Sequence, residues 1–306
     1  MASRSERVLV TGAAGFTGRH LCAHLRNCGY SVCGLVEHAT NNPDDLVADL
    51  LDAGALSAAI RAAAPDCVIH LAAIAFPGHG DPASVYRVNL TGTLTLLEAL
   101  VREGHGRQRV LLPSTGTVYA SGDTGALAET APLAPGSHYA VSKLAMENLA
   151  RLYARSLPIT VVRPFNYTGP GQREPYLVPK IVRHFAQRAT VIELGNVDVV
   201  RDFLDVRVVV EAYQRLLAAP TAAGETFNIC SGEGTALRDI VAMLGEITGH
   251  RIEIRVNQQF VRAGDARSIV GSPAKLRALV GDLPARPLRA TLADMLSEQE
   301  ARTPDK

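Results

Sequence analysis

The sequence predicts an α/β fold, a doubly wound parallel sheet carrying a smaller mixed α/β domain, and three observations predict it. A short apolar strand, Val8-Leu9-Val10, runs through a glycine-rich turn from Gly12 to Gly18 into a helix-like stretch, Arg19 to Cys28, with Leu21 and Leu25 four apart. Over the first two-thirds, strand-like segments at 8–11, 31–36, 67–72, 109–113 and 159–163 alternate with helix-like segments at 17–28, 54–63, 84–104 and 139–155. That alternation specifies parallel strands with helices on both faces. Beyond Pro164 the rhythm breaks, with Gly169-Pro170-Gly171 marking a turn. Helices are expected there at 177–188, 206–218, 235–248 and 272–279, and short strands at 190–194, 226–229 and 252–256. The expected division is residues 1–165 for the sheet domain, with part of 200–230 returning to it, and 166–306 mainly for an interleaved second domain. The tail from Ser297 to Lys306 is polar and expected to fray.

The first strand, turn and helix stand in the order a dinucleotide site requires. Gly12 permits the tight turn, Gly15 lets the backbone approach a pyrophosphate, and Gly18 lets the helix pack on the strand, with Phe16 and Thr17 between them. The pyrophosphate would sit on the helix N-terminus, where free N–H groups and the helix dipole favour an anion. A plain tight turn is the alternative for the same glycines. Further on, Tyr139 and Lys143 are one helical turn apart and share a helix face. A nearby ammonium favours the phenolate, so this tyrosine is expected to exchange a proton near neutral pH. Y-x-x-x-K spacing also occurs on ordinary solvated helix faces, and it gains meaning from its company.

Thirty-one basic and thirty acidic residues give a net charge of +1, so no field favours nucleic acid or a membrane surface. No signal-peptide pattern opens the chain, and no apolar run approaches membrane-spanning length. The five cysteines are odd in number and lack metal-ligand grouping, and among the nine histidines only His20 and His24 stand at H-x-x-x-H spacing, without the adjacent Glu of a zinc-hydrolase motif. These features describe a cytoplasmic protein with reduced cysteines and no metal.

Further segments carry a family resemblance: His70-Leu71-Ala72-Ala73 after the third strand, Asn89 in the next helix, and Ser114-Thr115-Gly116-Thr117-Val118-Tyr119. Arg163-Pro164-Phe165-Asn166 and Arg201-Asp202-Phe203-Leu204-Asp205-Val206 follow in order. With the glycine turn and the Tyr139/Lys143 pair, the chain from about Val8 to about Leu296 resembles the extended short-chain dehydrogenase/reductases of the epimerase/dehydratase type, which act on sugar nucleotides. The resemblance implies a Rossmann-like doubly wound parallel sheet with a smaller mixed α/β substrate domain. It makes Thr115, Tyr139 and Lys143 catalytic: Thr115 would hydrogen-bond the reacting C4 oxygen, Tyr139 would deliver or take its proton, and Lys143 would hold the nicotinamide ribose and lower the tyrosine's pKa. It places Leu71, Ala72, Ala73, Asp49 and Leu50 at the cofactor, although an Asp opening a turn is an ordinary alternative for Asp49. Asn89 would tie its helix to the active site, or be an ordinary buried amide.

Within the family the chain resembles the GDP-4-keto-6-deoxy-mannose reductases, through Arg163 to Gln172, Gly195-Asn196, Asn228 to Gly232, and Arg262 with Asp265. On that resemblance Asn166 orients the sugar phosphate, and Arg201 and Arg262 clamp the diphosphate, for which a guanidinium fork is suited. Surface ion pairs, Arg201 with Asp202 or Asp205 for instance, are the alternative. The second strand ends in Val36-Glu37-His38. Glu37 falls where relatives that prefer NADP often carry Arg, and it would repel a 2′-phosphate, so of NAD(H) and NADP(H) the lean is to NAD(H). The family's 4,6-dehydratases follow the catalytic Thr with Asp-Glu, and here Gly116 and Thr117 stand there. Neither transfers protons usefully at neutral pH.

The expectation is therefore a sugar-nucleotide 4-ketoreductase, carrying hydride from NAD(P)H to C4 of a GDP-4-keto-6-deoxy-hexose or related heptose. A UDP-sugar 4-epimerase retaining its NAD, an atypical dehydratase and a non-catalytic NAD(P)-sensing protein are the alternatives. The family is commonly dimeric, and a homodimer through helices 84–104 and 139–155 is expected, with Leu97 and Leu152 among the apolar candidates.

Overall fold

The computed structural model describes residues 5–76, 80–104, 106–120, 125–260 and 266–302. The chain begins in the middle of its sheet with β1 (Arg7–Thr11), α1 (Phe16–Asn27), β2 (Ser31–Val36), β3 (Asp45–Val47), α2 (Ala53–Ala63) and β4 (Cys67–His70). One long helical run follows: α3 (Pro82–Tyr86), a π-helical turn over Arg87–Gly92, and α4 (Thr93–Gly104). Then come β5 (Arg109–Pro113), α5 (His138–Leu152), β6 (Ile159–Pro164), β7 (Asn166–Thr168), α6 (Leu177–Ala186), β8 (Val191–Leu194), β9 (Val200–Asp205), α7 (Val206–Ala218) and β10 (Thr226–Ile229). The last elements are β11 (Gly234–Ala236), α8 (Leu237–Thr248), β12 (Glu253–Val256), β13 (Ser268–Ile269), α9 (Ala274–Val280) and α10 (Leu288–Arg302).

Seven strands form the main sheet in the order β10-β6-β5-β4-β1-β2-β3, and every pairing is parallel. Both faces are covered, so its strands are apolar on alternate and intervening positions alike. Val8 and Val10 point to one face with Leu21 and Leu25 of α1 and Val209, Val210 and Tyr213 of α7. Leu9, Val68, Val110 and Leu112 point to the other, against α2, α4 and α5 through Ile60, Leu97, Leu100 and Met146. Leu97 therefore serves the core, whereas Leu152 is 80% exposed. The strand order reverses between β1 and β4, and the crevice at their C-terminal ends is where a parallel sheet of this kind binds ligands.

A third core joins α6, α8 and α10 through Ile181, Phe185, Ile240, Leu244, Leu292 and Met295. Beside it, β9 pairs with β7, β11 and β13, and β8 with β12. Residues 303–306 lie outside the described residues, while the expected frayed tail is corrected from Ser297 to Arg302, which belong to α10. Its buried stripe is only Thr291, Leu292, Met295 and Leu296 on an otherwise polar helix, which leaves little periodicity to detect. Asp205, at the N-cap of α7, anchors it by accepting from the Thr291 hydroxyl (2.7 Å) and from Arg207.

Candidate active site

The glycine turn is built for close backbone approach. Gly12 has φ +68°, and a Cβ there would meet the backbone nitrogen of Ala72 at 2.8 Å. A Cβ on Gly18 would meet the carbonyl oxygens of Gly12 and Ala13 at 2.3 and 2.6 Å. Gly15 is the N-cap of α1 and supplies no side-chain cap, so the first-turn N–H groups are left for an anion. Phe16 stacks on Tyr167 at 6.3 Å, and the Thr17 and Tyr167 hydroxyls lie 2.9 Å apart. The cradle and its uncapped helix end fit a nicotinamide dinucleotide.

The loop after β4, with Leu71, Ala72 and Ala73 half-buried, is held against this turn by a polar chain. The Ala72 N–H donates to Thr11 Oγ1 (3.1 Å), which lies 2.8 Å from His70 Nδ1. On the other side His70 Nε2 lies 3.0 Å from Thr93 Oγ1, whose proton goes to the Asn89 carbonyl (2.7 Å). Because the Thr93 proton is used on the Asn89 carbonyl, His70 carries its proton on Nε2, and in the neutral ring Nδ1 accepts from Thr11. Asn89, in the π-helical turn, accepts from the Ile74 N–H (2.8 Å) and donates to the Ile74 carbonyl (3.1 Å) and to Ser142 Oγ (3.0 Å). Ser142 in turn donates to the Tyr139 carbonyl (2.7 Å), so Asn89 joins the loop to α5.

Burial, and secondarily the charge of Lys143, lowers the His70 pKa from 6.5 to about 3. The folded state thus refuses a proton that the unfolded chain accepts, so this stabilisation is complete above pH 6.5 and is lost as pH falls towards 3. Between pH 7 and pH 5 the wild type should lose about 2 kcal/mol on this account. Denaturant unfolding of wild type and His70→Asn at both pH values checks it; equal pH dependence of the two proteins would refute the assignment.

Thr115 follows β5 as the N-cap of a short 3-10 turn, Gly116–Val118, and its hydroxyl lies 3.0 Å from that of Thr117. Tyr139 enters from the first turn of α5, whose N-cap Ser137 accepts from the Ala140 N–H (3.1 Å). Desolvation, then the Tyr167 and Tyr176 phenols, push the Tyr139 pKa upward, and only a hydrogen bond from Thr115 opposes them. The lowering expected from Lys143 is not found, because that side chain is turned into the sheet, its Nζ donating to the Pro113 carbonyl at 2.9 Å. Burial brings the Lys143 pKa down to about 8, against a raising influence from Glu147. Beside it the buried Ser114 hydroxyl has no hydrogen-bond partner among the described residues.

The remaining expected residues are more scattered. Glu37 is exposed just past β2. Asp49 is exposed and accepts from the Leu51 N–H (2.9 Å), the local turn its sequence also allowed, while Leu50 is buried in the core against Gly92. Asn166 opens β7, opposite Phe203 of β9. Arg201 on β9 donates to the carbonyls of Val200 and Ala266, both at 2.8 Å. The neighbouring Asp202 is fully buried and accepts from Ser231, Gly232 and Gly271, and Asp205 is engaged with α7 and α10. Arg262 and Asp265 lie outside the described residues, as do Pro77, Gly78 and His79 of the loop after β4. Tyr167 and the buried Arg163–Glu147 pair were not singled out from the sequence. Their signal was present, Tyr167 directly after the Arg163-to-Asn166 motif and Glu147 four residues past Lys143 on the same helix face. Among the described residues, no group of three or more His, Cys, Asp and Glu converges to hold a metal, and no helix is long and apolar enough to cross a membrane.

Comparison with known proteins places this geometry. The pattern of the NAD dependent epimerase/dehydratase family matches residues 8–230. The chain is 36% identical to the GDP-6-deoxy-D-talose 4-dehydrogenase of Aggregatibacter actinomycetemcomitans, over 94% of this chain and 96% of that protein. It is 34% identical to the GDP-6-deoxy-D-mannose reductase of Pseudomonas aeruginosa, over 97% and 98%. The structure of RMD from Pseudomonas aeruginosa complexed with NADPH superposes with a TM-score of 0.86 at 33% identity, covering 98% of this chain and 99% of that one. A family match over most of the length, on a parallel sheet with the glycine turn at the end of β1, leaves one conclusion: the chain belongs to the NAD dependent epimerase/dehydratase family.

Proposed function

We propose that this NAD(P)-dependent enzyme of the extended short-chain dehydrogenase/reductase type reduces the C4 carbonyl of a GDP-4-keto-6-deoxy-hexose. The observation that carries the reading is a buried Tyr139 phenol kept protonated by desolvation and by the Tyr167 and Tyr176 phenols, with the Thr115 hydroxyl acting on it in the opposite direction. A reductase needs a neutral acid at that position, whereas the reverse oxidation needs the phenolate. The names of the two GDP-6-deoxyhexose relatives support the substrate class.

The nicotinamide, when bound, supplies the hydride. Gly12, Gly15, Phe16, Thr17 and Gly18 would hold its pyrophosphate, and Lys143 would hold its ribose. Tyr139 gives its proton to the developing C4 alkoxide while the Thr115 hydroxyl donates to the same oxygen. Asn166, Arg201 and Arg262 would bind the sugar phosphate and diphosphate, whose binding energy orients the sugar. The exposed Glu37 carboxylate would repel a 2′-phosphate, which favours NADH over NADPH. Dehydration across C5 and C6 is disfavoured by more than composition: a Cβ on Gly116 would meet the Phe165 ring at 2.9 Å, so no acid fits there without displacing it.

Product mass spectrometry tests the reading. The purified protein is incubated with GDP-4-keto-6-deoxy-mannose, UDP-glucose and UDP-N-acetylglucosamine, each with NADH, with NADPH and with neither. A gain of two hydrogens on the GDP-ketosugar, dependent on added cofactor and larger with NADH, is expected. An unreduced ketosugar would overturn the substrate assignment, and a UDP-sugar altered at unchanged mass would make the enzyme an epimerase.

A further inference from the structure

The three residues assigned to chemistry come from two stretches of chain, Thr115 from the turn after β5 and Tyr139 with Lys143 from α5. Between these stretches stands Arg163, at the end of β6, with a side chain only 3% exposed. Its Nε and Nη2 donate to the two carboxylate oxygens of Glu147 at 2.9 and 2.7 Å. Its Nη1 donates to the Tyr119 hydroxyl at 2.9 Å and to the Glu129 carbonyl at 3.1 Å. The Tyr119 hydroxyl passes its own proton to Asn228 Oδ1 on β10 (2.6 Å), and the Asn228 amide donates to the Leu127 carbonyl (2.8 Å). Both ends of this system are one turn from the chemistry. Glu147 is four residues past Lys143 on the same buried face of α5. Tyr119 is separated from Thr115 by the single 3-10 turn Gly116–Val118, so the position of one dictates that of the other.

We propose that Arg163 is a positioning residue for the reaction, its guanidinium setting the separation of Thr115 from the Tyr139–Lys143 pair through Tyr119 and Glu147. The proposal rests on the catalytic reading of those three residues. Stability alone does not call for this arrangement, since an apolar cluster of similar volume would hold α5 to the sheet at least as well as a buried ion pair. What a guanidinium adds is direction: a planar fork engages both Glu147 oxygens in parallel and leaves Nη1 at a fixed angle for Tyr119. The Tyr119 ring lies under the guanidinium carbon, 4.9 Å from ring centre, so its hydroxyl and its face are both used.

Tyr119→Phe separates positioning from folding, because it keeps the ring and the Arg163–Glu147 pair and removes only the hydroxyl link. With GDP-4-keto-6-deoxy-mannose and the preferred cofactor, kcat per cofactor-binding site should fall about tenfold, with both KM values within about twofold of wild type. Arg163→Lys keeps the charge on Glu147 but lacks the fork, and its kcat per binding site should fall about 100-fold. Wild-type kcat in either variant, or a rise in KM without loss of kcat, overturns the proposal. Wild-type enzyme that binds cofactor but reduces no ketosugar overturns instead the catalytic reading beneath it.

Discussion

Tyr139→Phe should lower kcat for ketosugar reduction by about 10²- to 10⁴-fold, the range set by loss of a positioned general acid. The change removes one hydroxyl and keeps the buried ring, so cofactor affinity and melting temperature should stay close to wild type. The pH dependence adds an independent signature. Because burial and two neighbouring phenols raise the Tyr139 pKa, its acid form persists through neutrality, and reduction should not weaken on its account between pH 6 and pH 8. Lys143 behaves oppositely: its pKa is lowered to about 8, so its charge is present below that pH and lost above it. The alkaline limb of kcat/KM should therefore begin near pH 8 and should survive in the residual activity of Tyr139→Phe. Stopped-flow loss of reduced-nicotinamide absorbance measures both. A Tyr139→Phe enzyme within tenfold of wild type would remove the tyrosine from the reaction.

Glu147→Gln should cost about 3–5 kcal/mol of folding stability, the expected penalty for leaving one member of a buried ion pair without its partner. The side chains of Glu147 and Arg163 are 1% and 3% exposed, and glutamine preserves shape while removing the charge that the guanidinium faces. Contrast decides the magnitude. Glu253 and Arg255 also form a close pair at 2.9 Å, but both are 60% exposed, and solvent screens such a pair so that it contributes little. Urea unfolding of Glu147→Gln and Glu253→Gln side by side should give a large shift in midpoint for the first and almost none for the second. A loss below about 1 kcal/mol in Glu147→Gln would mean that water reaches the pair, and the Arg163 truss would lose its rigidity with it.

The main sheet was legible because its strands are buried on both faces. Val8-Leu9-Val10, Cys67-Val68-Ile69 and Val110-Leu111-Leu112 read as uninterrupted apolar runs, and the helices between them carry ordinary periodicity. The shorter pieces were not. β3, β7, β11 and β13 are only two or three residues long, and β9 shows neither an apolar run nor period-two alternation, because Arg201 and Asp202 stand side by side before Phe203, Leu204 and Asp205. Among site residues, Gly12, Gly18, Thr115, Tyr139 and Lys143 stand around the crevice of β1, β4 and β5. Asp49 is exposed and accepts from the N–H of Leu51 in its own turn, and Arg201 stands in the four-stranded sheet around β9.

By itself the sequence determined what depends on near neighbours along the chain: the glycine turn with its strand and helix, and the one-turn spacing of Tyr139 and Lys143. Those arrangements are set by backbone geometry over a few residues, so any fold that keeps the elements keeps them. The tertiary structure alone decided how the groups behave. Tyr139 is raised rather than lowered because Tyr167 and Tyr176, from a distant stretch, help enclose it while Lys143 turns to Pro113. His70 is neutral because packing buries it near the Lys143 charge, between Thr11 and Thr93, and Arg163 has direction because Tyr119, Glu147 and Glu129 meet it from three segments. Desolvation and hydrogen-bond geometry depend on which surfaces are brought together in space, and spacing along the chain carries no measure of that.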